Sequence, residues 1–259
     1  MEIKSLFLVL IIVLIYGCRA DSNDAVSFKG TLIPLYSYPN DPAWEALLEA
    51  NTTLETIAII NPHNGSVECN TTMSNDYKQG ITKLKNNAIK VIGYVYTKYG
   101  ARSVDVVESD ITRYKECYPN LDGFFLDETN ESAESAPYYK QLYSFVKEVN
   151  ASQKVVLNPG LYPDEEIVQA SDITIVYENG GEGYDAITPP AYVSKYPSSK
   201  FALLGYGVAQ RAVTREKLKK LNSFKIGYIY LTDDGADNPW DTLSSYYNFL
   251  MGALISKPL

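Results

Sequence analysis

Asp127 and Glu128 stand side by side at the end of a short apolar run, Gly123 to Leu126, within Leu121-Asp-Gly-Phe-Phe-Leu-Asp-Glu-Thr129. Such a run reads as a fully buried strand, and burial holds its end rigidly. Two acids there lose solvation, which a fold tolerates only where they are paired, wetted or used. Further along, Ile173-Thr-Ile-Val-Tyr-Glu178 closes a second β-rich run with a single carboxylate. Acids on different strands can face each other across a cleft at the separation glycoside hydrolysis requires. One then protonates the leaving oxygen while the other attacks the anomeric carbon or activates water. Neighbours in a strand point to opposite sides, so Asp127 and Glu128 are not expected to be equivalent. One should face the site and the other lean into a loop or a supporting hydrogen bond. The plainer alternatives are a solvated strand-end turn at Asp127-Glu128 and an acid at Glu178 capped by Asn179-Gly-Gly181.

The elements that must position these acids alternate along the chain. Strand-like runs lie at Thr31–Tyr38, Leu54–Asn61, Lys90–Thr97, Leu121–Glu128, Lys154–Pro159, Ile173–Glu178, Phe201–Val208 and Ile226–Thr232. Between them the pattern predicts helices over Pro42–Ala50, Asn75–Asn87, Ser103–Cys117, Pro137–Asn150, Asp164–Gln169, Pro189–Lys195 and Thr214–Leu221, with a last one over Asp241–Ile255. Asp41-Pro42 and Ala136-Pro137 put Pro at a first helical position, and Thr214 opens its helix as an N-cap. Eight strands alternating with helices give an α/β fold, a single (β/α)8 TIM barrel spanning residues 21–259. An open doubly wound sheet is the competitor, but no glycine fingerprint follows the first strand, where the chain reads Tyr36-Ser-Tyr-Pro-Asn40. The strand ends of a barrel converge on one face. Here they read Tyr36, Tyr38, Asn61, His63, Tyr96, Asp127, Glu128, Asn158, Tyr177, Glu178, Tyr206, Asp233 and Asp234. That concentration of carboxylates, amides and phenols on one rim predicts the site.

Residues 1–20 have the layout of a secretory signal peptide. Lys4 precedes the apolar run Leu6 to Ile15, and Gly17-Cys-Arg-Ala20 offers a small-residue cleavage site. A lipoprotein acylated at Cys18 is the alternative. Five Asn-x-Ser/Thr sequons, at Asn51, Asn64, Asn70, Asn130 and Asn150, favour a glycosylated secreted chain instead. With the signal removed, two cysteines remain, and an oxidising compartment predicts a Cys69–Cys117 disulfide. The mature chain carries 21 Lys and Arg against 30 Asp and Glu. That balance argues against nucleic acid or an anionic membrane surface as partner, and it suits a neutral or cationic substrate. The expectation is a monomeric extracellular or cell-wall-associated protein that needs no cofactor or metal. Asp233-Asp234 lacks a supporting ligand cluster, and the glycines after Glu178 form no phosphate motif.

The chain resembles the spherulin 4-like family, secreted barrels that include fungal glycoside hydrolases acting on galactosaminogalactan. The matching pieces are Leu32-Ile-Pro-Leu-Tyr36, Ile60-Asn-Pro-His63, Gly93-Tyr-Val-Tyr96, Asp122-Gly-Phe-Phe-Leu-Asp-Glu128, Asn158-Pro-Gly160, Tyr177-Glu178 and Gly227-Tyr-Ile-Tyr-Leu-Thr-Asp233, followed by Asn238-Pro-Trp-Asp241. The resemblance implies a barrel, an acidic catalytic triad of Asp127, Glu128 and Glu178, and endo-acting cleavage of α-linked N-acetylgalactosamine polymers. In that scheme Asp127 is nucleophile or electrostatic stabiliser, and Glu178 is a general acid/base whose pKa is raised by enclosure. Glu128 would orient a sugar hydroxyl or amide, or hold another acid. Tyr36, Tyr96, Tyr177 and Tyr206 would offer stacking faces and hydroxyls, Asn158 a bond to a substrate hydroxyl or acetamide, and Asn61, His63 and Asp233 rim contacts to the polysaccharide. The family pattern carries a His at the end of the seventh strand, where this chain has Leu204-Gly-Tyr-Gly207.

Two alternatives stand beside this reading. Chitinase-like barrels separate the last Asp from the Glu by one residue, whereas Asp127 and Glu128 are contiguous and Phe125 occupies the middle acidic position. A non-catalytic wall or coat protein could bind polysaccharide through the same cleft. A glycan on Asn130 would stand at the rim of that cleft.

Overall fold

The computed structural model describes residues 26–50, 53–65, 67–235 and 237–255. Eight strands, β1 (Gly30–Leu35), β2 (Glu55–Ile60), β3 (Lys90–Tyr96), β4 (Gly123–Asp127), β5 (Lys154–Leu157), β6 (Ile173–Gly180), β7 (Phe201–Tyr206) and β8 (Ile226–Leu231), close into one parallel barrel in chain order. The seam between β8 and β1 pairs Gly30 with Tyr228, and Tyr96 lies opposite Asp127 across β3 and β4. All eight expected strands are present.

Both faces of a barrel strand are covered, so each strand is apolar along most of its length. β4 is buried from Gly123 to Leu126 and only half-buried at Asp127, so polarity begins where the strand ends. Against the range Leu121–Glu128 expected from the sequence, the strand begins two residues later, at Gly123. A Cβ there would come 2.0 Å from the Lys154 carbonyl oxygen of β5, so the two backbones can approach only at glycine.

The helices are α1 (Pro42–Glu49), α2 (Thr72–Asn86), α3 (Val104–Cys117), α4 (Ala136–Val149), α5 (Glu165–Val168), α6 (Arg215–Ser223) and α7 (Tyr247–Leu254). α2 starts earlier than its apolar spacing predicts because Thr71 and Ser74 form a reciprocal capping box. The helix expected over Pro189–Lys195 is corrected: between β6 and β7 the described residues form 3-10 turns at Ala191–Lys195 and Ser198–Lys200. Pro189, Pro190 and Pro197 bracket that segment, and proline both removes a donor and disfavours helical conformation in the residue before it. The last helix begins at Tyr247 rather than Asp241, since the residues before it are used in a loop across the barrel mouth.

The opposite end of the barrel is tied by a repeated device. Asp122, just before β4, accepts from the Val91 N–H at 2.8 Å and pairs with Lys85 at 2.7 Å. Asp172, just before β6, accepts from the Val155 N–H at 2.7 Å and pairs with Lys147 at 2.7 Å. Cys69 and Cys117 form a disulfide, with Cα atoms 5.1 Å apart, joining the loop before α2 to the end of α3. No described helix is long and apolar enough to cross a membrane. The expected signal peptide and the Asn51 sequon lie outside the described residues.

Candidate active site

β4, β5 and β6 deliver three polar side chains to one point. Asn158, directly after β5 and buried, donates its amide N–H2 to Asp127 Oδ1 at 2.7 Å and also to Glu178 Oε2. Carboxylates can only accept, so the amide must present nitrogen to both. Oxygens sharing one nitrogen donor lie within roughly 5 Å of each other. Asn158 is itself fixed by its backbone, which donates to Leu126 O at 3.0 Å and accepts from the Thr129 N–H at 3.0 Å.

The acids rest on an aromatic floor. Tyr94 meets Tyr36 edge-on at 5.5 Å and stacks on Phe125 at 6.1 Å. Burial foremost, then the Asp127 charge and a hydrogen bond to Asp127, push the Tyr94 phenol far above its ordinary range. Burial, with Asp127 and Glu178 behind it, does the same to Tyr36. Both phenols therefore remain protonated donors at any working pH. Glu178 is held by a second donor, the Trp240 side chain. Trp240 also packs edge-on to Tyr206 at 5.7 Å, and its carbonyl oxygen accepts from the Tyr36 N–H at 2.9 Å. Burial of the Glu178 carboxyl raises its pKa from 4.5 to about 7, helped by the nearby Asp127 charge and opposed by the bonds from Asn158 and Trp240.

Glu128 departs from strand alternation because the strand has ended. Its φ is +50°, a left-handed conformation costing about 1–2 kcal/mol for an ordinary residue. The surroundings hold it there. Tyr99 N–H donates to the Glu128 carbonyl oxygen at 2.7 Å, and the buried Thr97 hydroxyl reaches the carbonyl oxygens of Asp127 and Glu128 at 3.0 and 2.7 Å. The turn keeps the Glu128 charge on the site side, where it acts on the Tyr94 phenol.

The remaining rim residues divide. Tyr206 lies against Gly180, whose hypothetical Cβ would sit 2.7 Å from the ring, and against Trp240, so it flanks Glu178. Tyr177 is half-buried beside Tyr206 and Asp185, which together with burial raise its pKa. Tyr96 carries the Arg102 guanidinium over its ring at 4.1 Å. Of the other predicted contacts, Asn61 and Asp233 are hydrogen-bonded within the protein and His63 is exposed. Asn61 accepts from the Asn64 N–H at 2.7 Å in a local turn. The exposed His63 lines an open groove of about 330 Å³ with Pro62, Met73 and Tyr118, and none of the acids borders it. Asp233 accepts from the Ser245 N–H at 3.0 Å and from its hydroxyl, bonds that outweigh partial burial and lower its pKa. Of the other sequons, Asn64, Asn70 and Asn150 are exposed, while Asn130 is half-buried with its amide donating to Tyr99 O at 3.3 Å. Among the described residues, no group of three or more His, Cys, Asp or Glu is placed to hold a metal ion.

Tyr94 and Trp240 were not singled out by the sequence. Tyr94 lies two residues before the strand end, and Trp240 in the loop after β8. Both stand inside motifs that carry the resemblance, Gly93-Tyr-Val-Tyr96 and Asn238-Pro-Trp-Asp241, which was the available signal.

The family described as spherulation-specific family 4 matches residues 30–254. Spherulin-4 of Physarum polycephalum is 31% identical over 224 residues, which are 83% of this chain and 67% of that protein. Among solved structures, Aspergillus clavatus Sph3 in complex with GalNAc superposes with a TM-score of 0.74 at 22% identity, covering 89% of this chain and 98% of that one. The Bacillus cereus spore cortex-lytic enzyme SleL superposes with a TM-score of 0.56 at 12% identity, covering 90% of this chain and 75% of that one. These structural likenesses are likenesses of fold.

Proposed function

The chain belongs to spherulation-specific family 4, and from that premise we propose that it is a secreted glycoside hydrolase acting on α-linked N-acetylgalactosamine- or galactosamine-containing polysaccharide. The observation that carries the reading is the Asn158 amide shared by Asp127 and Glu178. It holds two carboxylates at close range while their environments separate their tasks. Glu178, enclosed and titrating near 7, is protonated in mildly acidic medium and donates its proton to the leaving oxygen. Asp127, accepting from Asn158 and from Tyr94, attacks the anomeric carbon and forms a glycosyl–enzyme ester as the glycosidic C–O bond breaks. Glu178, now a carboxylate, then takes a proton from the water that cleaves the ester and returns Asp127 to its carboxylate. Two acids whose oxygens share one amide nitrogen stand close enough to favour this double displacement, with retained anomeric configuration, over direct attack by water, which needs a wider gap. Glu128 and the Tyr36 phenol are left to orient sugar hydroxyl or acetamide groups.

The choice of sugar draws on the family and on the fold neighbour that was solved with GalNAc. The test is incubation of the native secreted protein with partly deacetylated galactosaminogalactan, chitin and an α-glucan, following reducing ends and, by proton NMR, the first anomer formed. Release from the galactosamine polymer with the α-anomer appearing first is the expected result. Release from chitin alone would reassign the substrate. Binding without cleavage of any polymer would make the protein a polysaccharide-binding coat component.

A further inference from the structure

Tyr99 is the most exposed large apolar side chain among the described residues, at 59%, and its ring lies outside the packed core. It sits in the loop after β3, on the rim that carries the acids. Its backbone is fixed on both sides: the N–H donates to the Glu128 carbonyl oxygen at 2.7 Å, and the carbonyl accepts from the Asn130 amide at 3.3 Å. Lys98, Tyr99 and Gly100 take successive left-handed conformations, with φ of +51°, +53° and +82°. Glycine adopts that region freely and asparagine tolerates it, but an aromatic residue does so against its steric preference. Tyr99 therefore combines an unfavourable backbone with a side chain that adds little to folding. Outliers of that kind gather where ligands are held.

We propose that the Tyr99 ring is a stacking platform for a sugar unit of the polymer beyond the scissile bond, a subsite next to the acid centre and separate from it. The apolar C–H face of a pyranose packs on an aromatic ring, and the phenol hydroxyl is free to bond a sugar hydroxyl. The Tyr99–Glu128 backbone bond sets the ring's position relative to Asp127, so a chain stacked on it is held in register with the reacting pair. The identity of the ligand rests on the function proposed above.

The test uses Glu178→Gln protein, so that partly deacetylated galactosaminogalactan is bound without being consumed, and measures affinity by gel retardation. Three changes are added in turn: Tyr99→Asn, which suits the left-handed backbone but removes the ring, Tyr99→Trp, which keeps a ring, and Tyr99→Gly. Turnover of the same polymer is followed in the otherwise native protein. Polymer affinity should fall roughly three- to ten-fold with Asn or Gly and hold with Trp. The melting temperature of the Asn and Gly variants should equal or exceed that of the parent, a result a structural role for the ring would reverse. Affinity equal to the parent's without the ring, or a loss accompanied by a lowered melting temperature in both Asn and Gly variants, overturns the platform. Ring-dependent binding without turnover by native protein keeps the platform and refutes the hydrolase. Turnover with ring-independent binding does the opposite, and failure of the parent to bind removes both.

Discussion

Glu178 should make the protein less stable as pH rises, an effect that can be measured without any substrate. Its carboxyl is shifted from 4.5 to about 7 by burial and by the Asp127 charge. A raised carboxyl pKa means that the fold favours the neutral form. Below about pH 4.5 folded and unfolded states both hold the proton, and the group is silent. Between there and about 7 the unfolded chain releases its proton first, so native stability falls. Above about 7 the loss is complete. At about 1.4 kcal/mol per unit, the shift amounts to about 3 kcal/mol. Glu178→Gln keeps the shape and can still accept from Asn158 and Trp240 through its amide oxygen, but it never ionises. Urea unfolding of both proteins, followed by tryptophan fluorescence without reductant from about pH 4 to pH 8.5, should give a variant whose stability gains about 3 kcal/mol on the native protein across that range. A constant offset at low pH is immaterial, because the divergence with pH is what reads the Glu178 proton. Curves that stay parallel would refute the enclosed, proton-holding Glu178 on which the mechanism depends.

Trp240→Phe removes one donor to the Glu178 carboxylate while leaving a ring against Tyr206, so the Glu178 pKa should rise further. The alkaline limb of the activity profile should then move to higher pH, with kcat lowered on the acid side by looser positioning. Asn158→Leu should move that limb the same way and cost more, about ten- to a hundred-fold in kcat/KM, since it frees both acids; activity against pH reads both. Replacing Cys69 and Cys117 together by Ser opens a loop of 48 residues and should destabilise the fold by about 4 kcal/mol, measured by denaturant unfolding of the non-reduced protein.

How far the site was legible depends on where each residue stands. An apolar, fully buried run closed by an acid marked Asp127 and Glu178, although β6 continues past Glu178 to Gly180. Strand alternation does not reach Glu128. Alternation holds only within a strand, and β4 stops at Asp127, so the left-handed turn of the next residue keeps its charge on the site side. Attention to strand ends favoured Tyr96 over Tyr94, yet a phenol two residues back on the same face is long enough to reach Asp127. Trp240 belongs to a loop whose path is set by tertiary bonds such as Ser245 to Asp233 and the Ser244 N–H to the Tyr230 hydroxyl at 3.0 Å. No local pattern encodes those. Asn61 and Asp233 stand at strand ends as well, but Asn61 caps its own turn at Asn64, a common use of short polar residues, and Asp233 ties down the loop at Ser245. The missing helix before β7 was signalled by Pro189-Pro190 and Pro197, residues that outweigh an apolar spacing.

The central claim is that Asp127 and Glu178 together break a glycosidic bond. Its most direct test is the initial rate of reducing-end release from partly deacetylated galactosaminogalactan by the native protein, Asp127→Asn and Glu178→Gln, all three checked for folding by circular dichroism. Release by the native protein is expected, with a loss of at least about a thousand-fold in each variant. Native-like rates in either folded variant would contradict it.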